Sequence, residues 1–152
     1  MKVSDIMVIK VKSVLPDILV SQALDFLSKE KISGLPVIDK DNKLVGMFTE
    51  KDVLKYILPA YLEKVGSFVY EDNPRAIRNK VKELLKEHKV CDIMCKEVIT
   101  TAPDTSLSEV ARIMLTGNAR RLPIVDKEKK VVGIIAREDV VKAFIKFSQE
   151  QP

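Results

Sequence analysis

Three small groups of residues have types and spacings that could do chemistry. Thr49-Glu50-Lys51-Asp52 sets a hydroxyl and a carboxylate three residues apart, where a strand-like run gives way to a helical one. That spacing is a capping box, in which the two side chains satisfy the first free N–H groups of a helix. A carboxylate is also a charged acceptor, the stronger kind of hydrogen-bond partner. Arg120-Arg121 stands just before a short apolar strand. The planar guanidinium fork matches phosphate oxygens, although such a pair also serves as ordinary solvated surface. His88, Cys91 and Cys95 form H-x-x-C-x-x-x-C. A structural zinc site takes four ligands, and no fourth is near in sequence, so no metal is expected unless a dimer shares the site. One histidine, no nucleophile–base pair and no metal cage argue against an enzyme.

The elements that position these groups come from a duplication. Shifted by 87 residues, the chain matches itself without a gap, with 18 identities in the 56 positions of 3–58 against 90–145. Val3-Ser4-Asp5-Ile6-Met7 falls on Val90-Cys91-Asp92-Ile93-Met94, and Pro16-Asp17 on Pro103-Asp104. Leu35-Pro36-Val37-Ile38-Asp39-Lys40 falls on Leu122-Pro123-Ile124-Val125-Asp126-Lys127, Val45-Gly46 on Val132-Gly133, and Asp52-Val53 on Asp139-Val140. On this alignment Cys91 and Cys95 stand where Ser4 and Val8 do, as small core or boundary residues.

Each copy reads as βαββα. An extended stretch ends at Pro16 or Pro103, since the residue before proline is pushed toward β. A helix follows, with Val20, Ala23, Leu24 and Leu27 as one apolar stripe and Leu107, Val110, Ala111 and Met114 as the other. Ser106 to Glu109 caps the second of these helices, whereas Leu19 leaves the first without a cap. Two short strands come next, Pro36 to Ile38 with Leu44 to Phe48, and Pro123 to Val125 with Val131 to Ile135. A second helix starts near Glu50 and near Glu138, and copy one's helix runs toward Pro59. The organisation expected is repeat one over 1–58, a helical linker over 59–89 and repeat two over 90–150. The fold class is α/β (α+β), with the repeats packed about a pseudo-twofold axis because about 60 residues alone cover their own core poorly. In the linker, Asn73-Pro74 predicts a helix start, with Ile77, Val81, Leu84 and Leu85 as its stripe up to about His88.

Bulk properties narrow the function. Apolar residues make up 46% and charged residues 32% of the 152, aromatics 5%, and Trp is absent, so the core is aliphatic. A net charge of +4 from 26 bases and 22 acids is mixed surface, not a polyanion binder. No run reaches the roughly 18 apolar residues of a membrane span. Met1 to Asp5 carries charge where a signal peptide is apolar, and the two cysteines are no disulfide framework. A cytoplasmic protein is expected.

Two tandem copies of D-I-M, P-D, an amphipathic helix, L-P-[VI]-[IV]-D and G-x-x-x-x-x-D resemble a cystathionine β-synthase (CBS) domain pair, or Bateman module, over nearly the whole chain except the linker. The resemblance implies two clefts that bind AMP, ADP, ATP or S-adenosyl compounds such as S-adenosylmethionine as regulatory ligands, with no cofactor required. For cleft one it implies Thr49 and Asp52 at the ribose, Val98, Ile99, Ala102, Leu107 and Ala119 around adenine, and Arg120 and Arg121 at phosphate. For cleft two it implies Asp139 at the ribose, Val11, Lys12, Leu15, Val20 and Ile32 as the wall, and Ser33 near phosphate. There Ala136 replaces the hydroxyl residue and Ser33-Gly34 stands where copy two has two arginines, so that cleft suits a less charged ligand or none. The resemblance also implies a homodimer that acts on another, unidentified protein.

Two rival functions remain. One is a structural dimerisation module with empty clefts. The other is nucleic-acid binding through Arg75, Arg78, Lys80, Lys82, Lys86 and Lys89 of the linker helix. Glu83 and Glu87 interrupt that basic run and no aromatics interleave, which disfavours nucleic acid.

Overall fold

The structure is a computed structural model that describes residues 1–58 and 74–150. After a single 3-10 turn at Val3–Asp5 come α1 (Val20–Glu30), β1 (Gly34–Ile38), β2 (Leu44–Thr49), α2 (Glu50–Ile57), α3 (Pro74–Glu87), α4 (Val90–Ile93), α5 (Leu107–Thr116), β3 (Arg121–Val125), β4 (Val131–Ala136) and α6 (Arg137–Glu150). It is a mixed α/β fold with two hairpin sheets, β1–β2 and β3–β4. The expected helix cap at Asn73 and the expected stop at Pro59 lie outside the described residues.

The first strand of the βαββα reading shrinks to one residue per repeat. Val14 pairs in parallel with Val37, and Thr101 with Ile124, each as a lone bridge. Thr101 donates to the Pro123 carbonyl at 3.2 Å and accepts from Val125 N–H at 2.9 Å. The next rung on one side needs an N–H from Pro103, and on the other an N–H from Pro123. Neither proline has one. Pro16 and Pro36 impose the same limit on Val14. The L-P and P-D motifs therefore cut this ladder to a single rung.

The 87-residue periodicity extends to the backbone. The four non-glycine residues with positive φ form two equivalent pairs: Lys31 (56°) with Asn118 (50°), and Asn42 (64°) with Lys129 (65°). The first pair follows the first helix of each repeat and the second sits in each hairpin turn. In the turns, Asp39 Oδ1 accepts from the N–H groups of Asp41 and Lys43, and Asp126 Oδ1 from those of Glu128 and Lys130. The short acid does for the loop what a backbone carbonyl does elsewhere.

Compactness does not follow chain order. One unit gathers Met1–Lys12, Ile38–Leu44 and Glu97–Pro152, and the other gathers Ser13–Val37 and Val45–Lys96. They are called the repeat-two unit and the repeat-one unit below. In the repeat-two unit the start of the chain caps the second repeat: Val3 N–H donates to Thr105 O, and Val8 exchanges two hydrogen bonds with Ile134. In the repeat-one unit Val90 N–H donates to Ile18 O, and Cys95 exchanges two bonds with Met47. A glycine receives each D-I-M methionine. A Cβ on Gly46 would lie 2.7 Å from Met94 Sδ and 2.9 Å from the Cys95 carbonyl, and one on Gly133 would collide with Met7 Sδ.

The two cores use corresponding positions. Val3, Leu107, Val110, Met114, Leu122, Ile124 and Ile135 are buried together in the repeat-two unit, joined by Val140 and Ala143. Val90, Val20, Ala23, Leu27, Leu35, Val37 and Phe48 are their counterparts in the repeat-one unit, with Val14 and Leu84 added. Both are aliphatic apart from Phe48, as composition requires. Leu84 of α3 is 1% exposed, so the linker helix supplies core to the repeat-one unit. The expected stripe of α3 is corrected at one position: Leu85 is exposed, and His88 takes the inward place after Ile77, Val81 and Leu84. The steps of four, three and four residues follow the helical period.

Candidate functional site

The junction of β2 and α2 builds the first half of the expected site. Thr49 is extended (φ −134°, ψ 163°) and serves as the N-cap of α2. Asp52 Oδ2 accepts from Thr49 N–H at 2.9 Å and from the Thr49 hydroxyl at 3.0 Å, while Asp52 N–H reaches back to that hydroxyl at 3.4 Å. The cap thus engages one carboxylate oxygen. Among the described residues the other makes no hydrogen bond, and Asp52 is partly exposed. Capping and ligand recognition are therefore compatible in this one residue.

At the equivalent β4–α6 junction Asp139 Oδ2 accepts from Ala136 N–H at 3.0 Å. On sequence alone, an acid retained without its hydroxyl partner needs a reason other than capping. The structure removes that inference, because the acid performs its half of the box through the backbone. A related adjustment occurs at α5. Ser106 Oγ accepts from Glu109 N–H at 3.2 Å, but the Glu109 carboxylate turns to Arg112 instead of closing the box. That contact lowers the Glu109 pKa and raises that of Arg112. At α1, Gln22 Oε1 accepts from Leu19 N–H at 3.1 Å, so the uncapped start has half a box after all.

The remaining residues expected at cleft one belong to the repeat-two unit. The Thr101–Ile124 bridge draws the strand-like stretch before it along β3. Ile99 is exposed and lies against Gly117 at the end of α5. Beyond Asn118, Ala119 N–H donates to Met114 O at 3.0 Å, and Arg120 O accepts from Arg137 N–H at 2.8 Å. Val98 and Ala119 are partly buried, Ala102 and Arg120 exposed, and Arg121 partly buried at the first residue of β3. Leu107 departs from the expected wall. It is 3% exposed and packs into the core, being the first inward residue of α5.

The second expected set is divided between the units. Val11, Lys12 and Asp139 fall in the repeat-two unit, and Leu15, Val20, Ile32 and Ser33 in the repeat-one unit. Val20 is wholly buried core, for the same reason as Leu107. Leu15 is exposed, Ile32 packs at the rim of the core, and Ser33 O accepts from Glu50 N–H at 3.0 Å.

Two features went unrecognised in the sequence. Arg137 extends its guanidinium to the Ala119 carbonyl at 3.2 Å, which puts a third arginine at the start of β3. The sequence signal for Arg137 was its place directly after Ala136. In the repeat-one unit, Tyr56 OH and His88 Nε2 are 2.9 Å apart, and His88 Nδ1 lies 3.5 Å from Asp92 Oδ2. Lys80 Nζ sits 4.9 Å from the centroid of the Tyr56 ring. Desolvation, then Glu83 and Glu87, raise the Tyr56 pKa. The Lys89 N–H bond, with help from His88, lowers that of Asp92. Among the described residues no three His, Cys, Asp or Glu side chains are arranged to hold a metal ion, and no helix is long and apolar enough to cross a membrane.

Comparison with known proteins places this geometry. An uncharacterized protein of Methanocaldococcus jannaschii is 35% identical over 77% of this chain and 76% of its own length. Inosine-5'-monophosphate dehydrogenase of the same organism is 35% identical over 93% of this chain, which spans only 23% of that enzyme. Among solved structures, Arabidopsis thaliana CBSX2 in complex with AMP is 30% identical with a TM-score of 0.74, covering 97% of this chain and 98% of that one. The CBS domain pair of protein MJ0100, in complex with 5'-methylthioadenosine and S-adenosyl-L-methionine, is 27% identical with a TM-score of 0.70 over 97% and 98%. The CBS domain model matches residues 3–59 and 90–146, the two copies of the internal repeat, and the chain therefore belongs to the CBS domain family as a tandem pair.

Proposed function

We propose that this chain is a regulatory module, not a catalyst, and that it binds an adenosine-type ligand: AMP, ADP, ATP or an S-adenosyl compound. Thr49 and Asp52 take the ribose hydroxyls, Val98, Ile99, Ala102 and Ala119 face adenine, and Arg120 and Arg121 meet phosphate. Asp139 with Val11, Lys12, Leu15, Ile32 and Ser33 forms the weaker second set. The observation that carries the reading is the Asp52 carboxylate: its backbone and hydroxyl bonds fix its orientation through one oxygen, and the other remains available for a vicinal diol. The AMP complex of a 30% identical CBS pair supports the ligand class. Ligand binding acts on a partner protein by favouring one of two states. Isothermal titration with AMP, ATP and S-adenosylmethionine tests this. Binding of one of them by the parent, weakened about tenfold or more in Asp52→Ala, is expected. Equal binding by parent and variant defeats the assignment of Asp52.

A dimerisation module with empty clefts is the second reading, and one observation favours it. On α6, Val141, Phe144, Ile145 and Phe147 are 40–54% exposed, an apolar face on a surface helix. Multi-angle light scattering of the parent and of Phe144→Glu tests the homodimer, whose loss in the variant is the expected result. Cys91 and Cys95 form no disulfide, in keeping with a cytoplasmic site.

A further inference from the structure

The two hairpins carry a reciprocal exchange at their open ends. Arg121, first in β3, stands opposite Ala136, last in β4. Directly opposed residues of an antiparallel pair share a face, with Cβ atoms about 4.5–5.5 Å apart. The equivalent pair in repeat one is Gly34 and Thr49. There a Cβ on residue 34 would lie 2.7 Å from Thr49 Cγ2 and 3.1 Å from the Phe48 carbonyl. A branched residue at the end of the second strand thus goes with no side chain at the start of the first. In repeat two the long side chain is on the first strand, and the residue opposite has no γ atoms.

The chemistry of each end follows from the exchange. In repeat one, Thr49 presents a hydroxyl bonded to the Asp52 carboxylate. In repeat two, Arg121 is joined by Arg120 and by Arg137, whose N–H binds Arg120 O and whose guanidinium binds Ala119 O. Asp139, two residues after Arg137, is engaged with Ala136 N–H. The repeat-two end is thus suited to an anion only while the Arg121 stem has room to rise from the strand.

We infer that Ala136 is a positioning residue that sets ligand specificity through Arg121: by lacking γ atoms it lets the guanidinium stand over the hairpin end, so that this end selects a phosphorylated ligand over its unphosphorylated counterpart. The inference rests on the adenosine-type reading above and deepens it. Affinities for AMP, adenosine and inorganic pyrophosphate, measured by titration calorimetry on the full chain, test it with Ala136→Thr, Ala136→Ser, Arg121→Gly and the double variant Arg121→Gly/Ala136→Thr. In Ala136→Thr the AMP-to-adenosine affinity ratio falls about tenfold, the scale of one charge-assisted hydrogen bond. Ala136→Ser, with one γ atom fewer, falls less. The double variant is no worse than Arg121→Gly alone, because Ala136 acts only through Arg121. Should Ala136→Thr fail to fold, the Ser variant and the double variant carry the test. A parent that binds AMP and adenosine, with a ratio indifferent to residue 136, leaves the function standing and overturns the inference. A parent that binds pyrophosphate but neither nucleoside ligand, and loses it in Ala136→Thr, retains the inference while the adenosine reading fails. Binding of none of the three overturns both.

Discussion

Repeat one and repeat two reach the same backbone with different side chains at one end. Their turns, positive-φ residues, single parallel rungs and glycine–methionine contacts correspond at a spacing of 87 residues. They part at the hairpin–helix junction, where Gly34 and Thr49 of one correspond to Arg121 and Ala136 of the other, although the acids Asp52 and Asp139 are common to both. The lesson is that a duplicated scaffold tolerates exchange at the open end of a hairpin, where a side chain reaches solvent, and resists it where a methionine packs onto the strand. Glycine is kept at 46 and 133 but replaced by arginine at 121.

The sharpest way to press that comparison is to fill the two retained glycines. The equivalence of the repeats is only approximate here. A Cβ on Gly46 meets Met94 Sδ at 2.7 Å and also the Cys95 carbonyl oxygen at 2.9 Å. On Gly133 the three nearest atoms all belong to the Met7 side chain. A methionine can change rotamer, whereas Cys95 O is held by Met47 N–H at 2.8 Å. Gly46→Ala is therefore expected to lose about 2–3 kcal/mol in urea unfolding and Gly133→Ala about 1 kcal/mol, within the range for overpacking. Equal losses would show that the carbonyl contact does not separate the two sites.

The sequence disclosed the equivalence itself, since periodic apolar positions and turn acids are local signals. It placed the two hairpins, the amphipathic helices and the acids at 52 and 139. It did not disclose which repeat each D-I-M segment caps, because Val3 with Thr105 and Val90 with Ile18 are pairings distant along the chain. The apolar stripes already set Val20 and Leu107 on the inward faces of their helices, and both are buried, against the wall role that the resemblance implied. The loss of the first strand was legible in principle, from prolines at 16, 36, 103 and 123, but only once the rung that needs their N–H groups is known.

A milder test addresses the two caps. Thr49 uses both its hydroxyl and, through Asp52, its N–H, while the repeat-two junction has the acid half alone. Thr49→Ala should cost about 1 kcal/mol in thermal or urea unfolding, and Asp139→Ala about 0.5 kcal/mol, at the lower end for helix caps. A larger loss at Asp139 would mean that the acid performs work beyond the cap.

The smallest effect expected concerns Asp92 and Asp5, which accept the N–H of Lys89 and Lys2 at 2.8 and 2.9 Å. Only Asp92 has a histidine beside it, since Met1 occupies the place equivalent to His88. The Asp92 pKa lies below the ordinary value of 3.8, with the backbone bond from Lys89 as the main cause. A carboxyl whose folded pKa is depressed stabilises the fold above its unfolded pKa, about 3.9, and loses that contribution as pH falls through the folded value. Asp92→Asn should therefore flatten the acid limb of the stability profile below about pH 4. His88→Gln should keep most of that limb, because the backbone bond survives, and added salt should remove only the part that His88 supplies. If His88→Gln flattens the profile as fully as Asp92→Asn does, the imidazole and not the Lys89 N–H governs this end of repeat one's unit, and the likeness between the Asp5 and Asp92 caps is one of shape without shared energetics.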